Sequence, residues 1–197
     1  MDELKKRILR EAELGEGDII RVDMFLNHCM DVELLQSVGR ALARRFRGER
    51  ITKVLTVESS GIAVACFTAL ALGVPAVYAK KFQTGYIDPD VYAAEVHSFS
   101  LEKSYTIRIS KRYLREEDRV LLVDDILSSG QAILGLMELA SRAGAETVGV
   151  GVAISKATRD GAEVLRRMGI PVEALVTVER VEDGKIIFSD EEEHHGL

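Results

Sequence analysis

The sequence predicts an α/β protein built on an open, mostly parallel, twisted sheet with helices on both faces. Three observations carry that expectation. Short apolar runs alternate with helix-length apolar stretches from Ile51 to Val178, the pattern of strands joined by crossover helices. The run Val120-Leu121-Leu122-Val123 is continuously apolar, as a strand covered on both faces requires. Polar loops of small residues stand where strands pass into helices, at Glu58-Ser59-Ser60-Gly61-Ile62 and Ser128-Ser129-Gly130.

The elements follow in order. Residues 2–14 read as a charged amphipathic helix, and residues 17–31 as an irregular stretch ending on Asp31, a helix cap. Leu34, Leu35, Val38, Leu42 and Phe46 fall at helical spacing, with Arg44, Arg45 and Arg47 near the helix end, where cations complement the helix dipole. Ile51 to Val57 reads as a strand, Gly61 to Leu72 as a helix and Pro75 to Ala79 as a strand. Within 81–118, alternating runs (Ala94 to Ser100, Tyr105 to Ser110) suggest a protruding β-hairpin or mobile flap. Then come strand Val120 to Val123, helix Gly130 to Ala143, strand Thr147 to Ile154, helix Gly161 to Met168 and strand Val172 to Val178. Residues 180–188 read as a short strand or hairpin arm. The acidic tail 190–197, with His194 and His195, reads as solvated rather than metal-binding.

Composition narrows the class. At 197 residues, one domain spanning 1–197 is the default. A net charge of −6 argues against a general nucleic-acid or membrane-surface binder. The charged N-terminus is no secretory signal. Cys29 and Cys66 lack metal spacing and read as small core or loop residues in a reducing cytoplasm. Gly61 to Ala79 carries no charge over nineteen residues, long enough to consider a membrane span. Gly73 and Pro75 divide it, which favours a buried helix followed by a buried strand.

The chemistry concentrates in the thirteen residues Val120 to Ala132. An apolar strand runs into Asp124 and Asp125, then Ser128, Ser129 and Gly130, then a helix. Backbone amides in such a loop converge on anions, and the helix N-terminus adds partial positive charge. Carboxylates beside an anion site repel it unless they bind something else, such as sugar hydroxyls or a metal ion. An ordinary turn with Asp125 and Ser129 as caps is the competing explanation. The loop at Glu58 to Ile62 offers a second close backbone approach. Two anion cradles at neighbouring strand ends suit a sugar with phosphates at both ends. Lys80 and Lys81, after the next strand, can add positive charge.

The segment Val120 to Ala132 resembles the phosphoribosyl pyrophosphate (PRPP) signature of type I phosphoribosyltransferases. The resemblance implies that Asp124 and Asp125 face the ribose hydroxyls and that Ser128, Ser129, Gly130, Gln131 and Ala132 wrap the 5′-phosphate. Ala132 departs from the threonine common there, which removes one hydroxyl contact. Glu58, Ser59, Ser60 and Gly61 resemble the family's pyrophosphate loop, implying a cis peptide at Glu58–Ser59 or Ser59–Ser60. Val22 to His28, Glu58 to Ile62 and Gly130-Gln131-Ala132 are similar to the xanthine branch found in Gram-positive bacteria. That similarity implies base contacts at Ile20, Asn27 and Lys156, a hood from about 1–32 and 172–189, and a homodimer to which the helix Leu34 to Phe46 contributes. It implies Mg²⁺ carried by PRPP rather than held by protein ligands.

Three features bear on the base. The Lys156 ammonium has donors only, so it suits an exocyclic oxygen and opposes an exocyclic amine, favouring xanthine over adenine. Asn27 carries a paired donor and acceptor amid apolar residues. Ser128 stands where the hypoxanthine-guanine branch carries an acidic general base, against that branch. The expected reaction is xanthine plus PRPP giving xanthosine 5′-phosphate and pyrophosphate. An adenine enzyme is the runner-up, and a PRPP-sensing regulator the non-enzyme alternative.

Overall fold

The computed structural model describes residues 1–15, 19–81, 89–98 and 103–189. In chain order the elements are α1 (Asp2–Glu11), β1 (Glu13–Leu14), β2 (Ile20–Arg21), a π-helical turn (Asp23–Asn27), α2 (Val32–Arg45), β3 (Lys53–Val57), α3 (Gly61–Leu72) and β4 (Ala76–Ala79). They continue with β5 (Val91–Ser98), β6 (Lys103–Ser110), β7 (Arg119–Leu127), α4 (Gln131–Ala143), β8 (Glu146–Lys156), α5 (Gly161–Arg167), β9 (Val172–Glu182) and β10 (Lys185–Phe188). Six strands form one sheet in the order β10-β9-β8-β7-β3-β4. Pairing is parallel from β9 through to β4, and β10 alone runs antiparallel. The open, mostly parallel sheet expected from the sequence is present.

Side chains alternate across a strand, and β7 shows what that does. Leu121 and Val123 join an apolar cluster with α1, the π-turn, α2, α3 and the later half of β9. Val120 and Leu122 join a second cluster with α4, Leu165 of α5 and the β5–β6 hairpin. The sheet is therefore covered on both faces. Asp31 caps α2, its carboxylate accepting from the Leu34 amide at 3.1 Å. Its other oxygen takes the Arg7 guanidinium at 2.7 Å, so one acid starts α2 and pins α1 against it.

Several expected boundaries move. β7 runs on through Asp124, Asp125, Ile126 and Leu127, because their backbone continues to pair with β8 as far as Leu127 opposite Ser155. The acids are strand residues, not loop residues. For the same reason β8 includes Lys156, and β9 extends to Glu182 as it pairs with β10. The stretch after Glu11 holds β1, β2 and the π-turn. Residues 16–18, part of 81–118 and the tail with its histidines lie outside the described residues. The hairpin β5–β6 is docked rather than protruding: Ala94, Val96, Ile107 and Ile109 alternate inward, are buried, and pack with α4.

The α2 residues Leu34, Leu35, Val38 and Leu42 are buried in the core. Two apolar expectations change. α3 and β4 are only half covered: Leu70 is 68% and Tyr78 42% exposed, since β4 is the sheet's last strand. Cys66 is exposed on α3, and Cys29 is exposed too. Among the described residues, no helix is long and apolar enough to cross a membrane.

At the opposite end of β7, Asp118 is 5% exposed. It binds Lys53 Nζ at 2.6 Å, Thr52 Oγ1 at 2.9 Å and the Arg115 amide at 2.9 Å. Burial pushes its carboxyl up, but the Lys53, Arg115 and Thr52 hydrogen bonds together hold it below the ordinary value. A depressed carboxyl stabilises the fold above the unfolded-state pKa, and that contribution is lost as pH falls through the folded value. Asp118→Ala leaves Lys53 without this partner and is expected to destabilise by about 3 kcal/mol. Urea unfolding at pH 7 checks this, and the difference from native should shrink below about pH 4. A change within 0.5 kcal/mol would contradict the role.

Candidate active site

The parallel strands β3, β4, β7 and β8 open their carboxyl ends on one rim, where open sheets of this kind hold ligands. A cleft of about 490 Å³ lies there. It is lined by Asp124, the segment Ser128 to Ile133, Val96, His97 and Tyr105 of the hairpin, and Arg159 with Asp160 beyond β8. The sheet registers bring these together, since Val57 pairs with Ala79 and Leu127 with Ser155 at the same rim.

The loop Ser128 to Gly130 turns β7 into α4. Gly130 has φ +77°, a left-handed conformation that suits glycine. α4 has no side-chain cap, so its first N–H groups are left for solvent or an anion. Gly161, from the start of α5, lies against this loop. Its N–H donates to the Ser128 carbonyl at 3.1 Å. A Cβ on Gly161 would collide with that carbonyl and come within 2.7 Å of the Gly130 nitrogen. Gly161 thus sets the loop's shape, a role its reading as an ordinary helix start did not suggest. Gln131 and Ala132 begin α4 at the cleft wall, and Ala132 brings no hydroxyl.

The second loop sits at the end of β3. The Glu58–Ser59 peptide is cis. Glu58 braces the neighbouring strand end: its Oε1 accepts from the Lys81 amide at 2.6 Å, and its own amide donates to the Ala79 carbonyl at 3.0 Å. Ser59 is exposed at the turn. Ser60 donates its hydroxyl to Asp125 Oδ1 at 3.0 Å. Gly61 opens α3 so close to Asp124 that a Cβ would lie 2.6 Å from its Oδ1. The two lysines separate. Lys81 lies over the Tyr105 ring at 5.1 Å and its charge favours ionised Asp124. Lys80 lies over the exposed Tyr78 ring at 6.0 Å.

The paired acids have different surroundings. Asp124 is 7% exposed and lines the cleft. Its Oδ1 accepts from the Asp125 amide at 3.0 Å. Burial, and then the neighbouring Asp125 charge, push its carboxyl well above the ordinary range. The Tyr105 phenol is pushed up by burial and by the Asp124 charge. Asp125 turns toward Ser60 and toward Asn27, whose Nδ2 donates to Oδ2 at 2.9 Å. The Asn27 amide is therefore committed to an acid, and its Oδ1 is buried without a partner among the described residues. Ile20, 5% exposed, packs in the same cluster as Phe25 and Leu26. Lys156 is half-buried at the end of β8.

Sequence reading missed Tyr105, His97, Arg159, Asp160 and Gly161. Arg159 carried one usable signal, a cation three residues past a strand end. The hairpin residues carried none, because only tertiary docking brings them over the rim.

An acid raised on folding makes the folded state hold its proton longer. Its contribution to stability is present at low pH and lost as pH rises from the ordinary carboxyl value through the folded value. A ¹³C NMR titration of the Asp124 carboxyl should find its midpoint clearly above 3.8. Asp125→Asn, which removes the like charge, should lower that midpoint. A native midpoint at or below 3.8 would refute the electrostatic reading.

Residues 31–180 match the family model described as the phosphoribosyl transferase domain. The chain is 44% identical over 189 residues to xanthine phosphoribosyltransferase 1 of Clostridium perfringens, covering 95% of this chain and 100% of that protein. It is 44% identical over 192 residues to the xanthine phosphoribosyltransferase of Bacillus cytotoxicus, covering 98% of each. Among solved structures, the adenine phosphoribosyltransferase of Rhodothermus marinus superposes with a TM-score of 0.74 at 25% identity, covering 90% of this chain and 97% of that one. The matched span contains both rim loops and both acids, and this chain belongs to the phosphoribosyltransferase family.

Proposed function

We propose that this protein transfers the 5-phosphoribosyl group of PRPP to xanthine, giving xanthosine 5′-phosphate and pyrophosphate. The observation that carries this is the cleft itself. On one wall the uncapped start of α4 follows the Ser128–Gly130 turn, and Asp124 stands beside it at the end of β7. An anion end and a hydroxyl-binding end thus lie within one sugar's length of chain. The names of relatives 44% identical over nearly the whole chain support xanthine as the acceptor.

In this reading the amides of Ser128 to Ala132 hold the 5′-phosphate, and Asp124 and Asp125 take the ribose hydroxyls. Ser59, Ser60, Gly61 and Lys81 face the departing pyrophosphate, with Glu58 holding their loop to β4 and Lys80 adding charge nearby. A purine ring nitrogen attacks C1, the C1–O bond breaks toward pyrophosphate, and the ring proton leaves to solvent. Positive charge grows on the ribose as this happens, and the two carboxylates offset it. Catalysis is then positioning and electrostatics, with no covalent enzyme intermediate. The hairpin bearing His97 and Tyr105 screens the cleft from water.

Asp124, whose charge burial disfavours, gains from lying beside the Mg²⁺ that PRPP would carry. Mg²⁺ supplies charge neutralisation on the leaving pyrophosphate. Ile20, Asn27 and Lys156 form the base side, with Lys156 donating to a ring carbonyl. That donor opposes the exocyclic amine of adenine, the base named for the structural neighbour. The unit is a single domain working in the cytoplasm as a homodimer, for which the exposed Leu70 and Tyr78 of α3 and β4 offer one apolar surface.

Pyrophosphate release from PRPP and Mg²⁺ with a panel of purines is the test. Xanthine should outpace adenine by about 10²-fold or more in kcat/KM. Asp125→Asn should lower kcat by ~10²-fold or more, and Lys156→Ala should chiefly raise the xanthine KM. Preferred turnover of adenine, or unaltered kinetics in the Asp125 variant, would overturn the reading.

A further inference from the structure

The Asp125 carboxylate is 6% exposed and held at both oxygens. Asn27 Nδ2 donates to Oδ2 at 2.9 Å and Ser60 Oγ to Oδ1 at 3.0 Å. The three residues come from the π-turn, the β3–α3 loop and β7. One donor on each oxygen fixes rotation about the terminal bond of the side chain. A carboxylate offers about four lone-pair positions, so each oxygen keeps a free one for an incoming hydroxyl.

The Asn27 amide cannot face the other way without setting two acceptors together. Its Oδ1 stays buried and unpartnered among the described residues, a penalty that the charge-assisted bond from Nδ2 outweighs. The backbone beneath it is anchored too. Phe25 and Leu26 in the same turn are fully buried, and the His28 amide donates to the Asp23 carbonyl at 3.2 Å. The amide is thus held as a strut under Asp125.

We propose that Asn27 is a positioning residue for Asp125, sharing that role with Ser60, so that a residue on the base side governs PRPP uptake before any base arrives. The inference rests on the PRPP reading above. It links the two substrates physically. The same amide that stands beside the purine holds the acid that binds the ribose, and disturbing one end disturbs the other.

Calorimetry of PRPP with Mg²⁺ and no base separates the possibilities. Native protein should bind. Asn27→Ala should weaken PRPP by about tenfold or more, the range of a lost charge-assisted bond. Asn27→Ser, which retains a shorter donor, should lie between, and it serves if thermal melts show that the alanine variant does not fold. In an Asp125→Ala background the further change Asn27→Ala should alter PRPP affinity less than twofold, because residues acting through one partner are not additive. Unchanged PRPP affinity with only a raised xanthine KM would overturn the strut, and so would full additivity with Asp125→Ala. If the native chain itself takes up no PRPP, the transferase reading falls, and the strut with it.

Discussion

Everything at the rim follows from placing two adjacent carboxylates in the last residues of a strand with neighbours on both sides. Removing a carboxylate from water is expensive unless it is paired or hydrogen-bonded. The fold answers separately for each acid. Asp125 receives two side-chain donors from distant segments. Asp124 receives the Asp125 amide and the field of Lys81, and still sits well above its ordinary pKa. The result is one oriented acceptor and one acid poised to gain from a cation or hydroxyl. Strand geometry makes the division, because adjacent side chains leave opposite faces.

The two loops meet different demands. The Ser128–Gly130 turn is shaped by a left-handed glycine, a helix without a side-chain cap and a second glycine that leaves room for the Ser128 carbonyl. The Glu58–Gly61 loop must hold its shape between β3 and β4, and the Glu58 carboxylate ties it to the Lys81 amide. Glu58 therefore works as a brace. In the proposed reading an acid facing a pyrophosphate would oppose it, and the Glu58 brace avoids that conflict.

Much of this was legible in the chain. The sheet class, the order of elements from β3 to β9, the Asp31 cap and the two rim loops all rest on local signals: apolar period, caps and small-residue turns. What failed was non-local. The acids read as loop residues because aspartate disfavours strands, yet pairing with β8 carries β7 to Leu127. Cys66 and Leu70 read as core because α3 is apolar all round, and no pattern within it says which side faces out. Lys80 and Lys81 read alike, though alternation at the end of β4 gives them different neighbours. Asn27 read as a base contact, and its bond to Asp125 went unseen because that partner lies 98 residues away.

The central physical claim is that the turn after β7 and the start of α4 seize a sugar phosphate beside the paired acids. The most direct measurement is an amide NMR titration with ribose 5-phosphate, with plain ribose as control. The amides of Ser129, Gly130 and Gln131 should shift saturably with the phosphate sugar and stay still with ribose. Amides at the opposite end of the sheet, such as Thr52 and Arg119, should not move. Shifts confined to other regions, or none at all, would contradict the placement of the substrate.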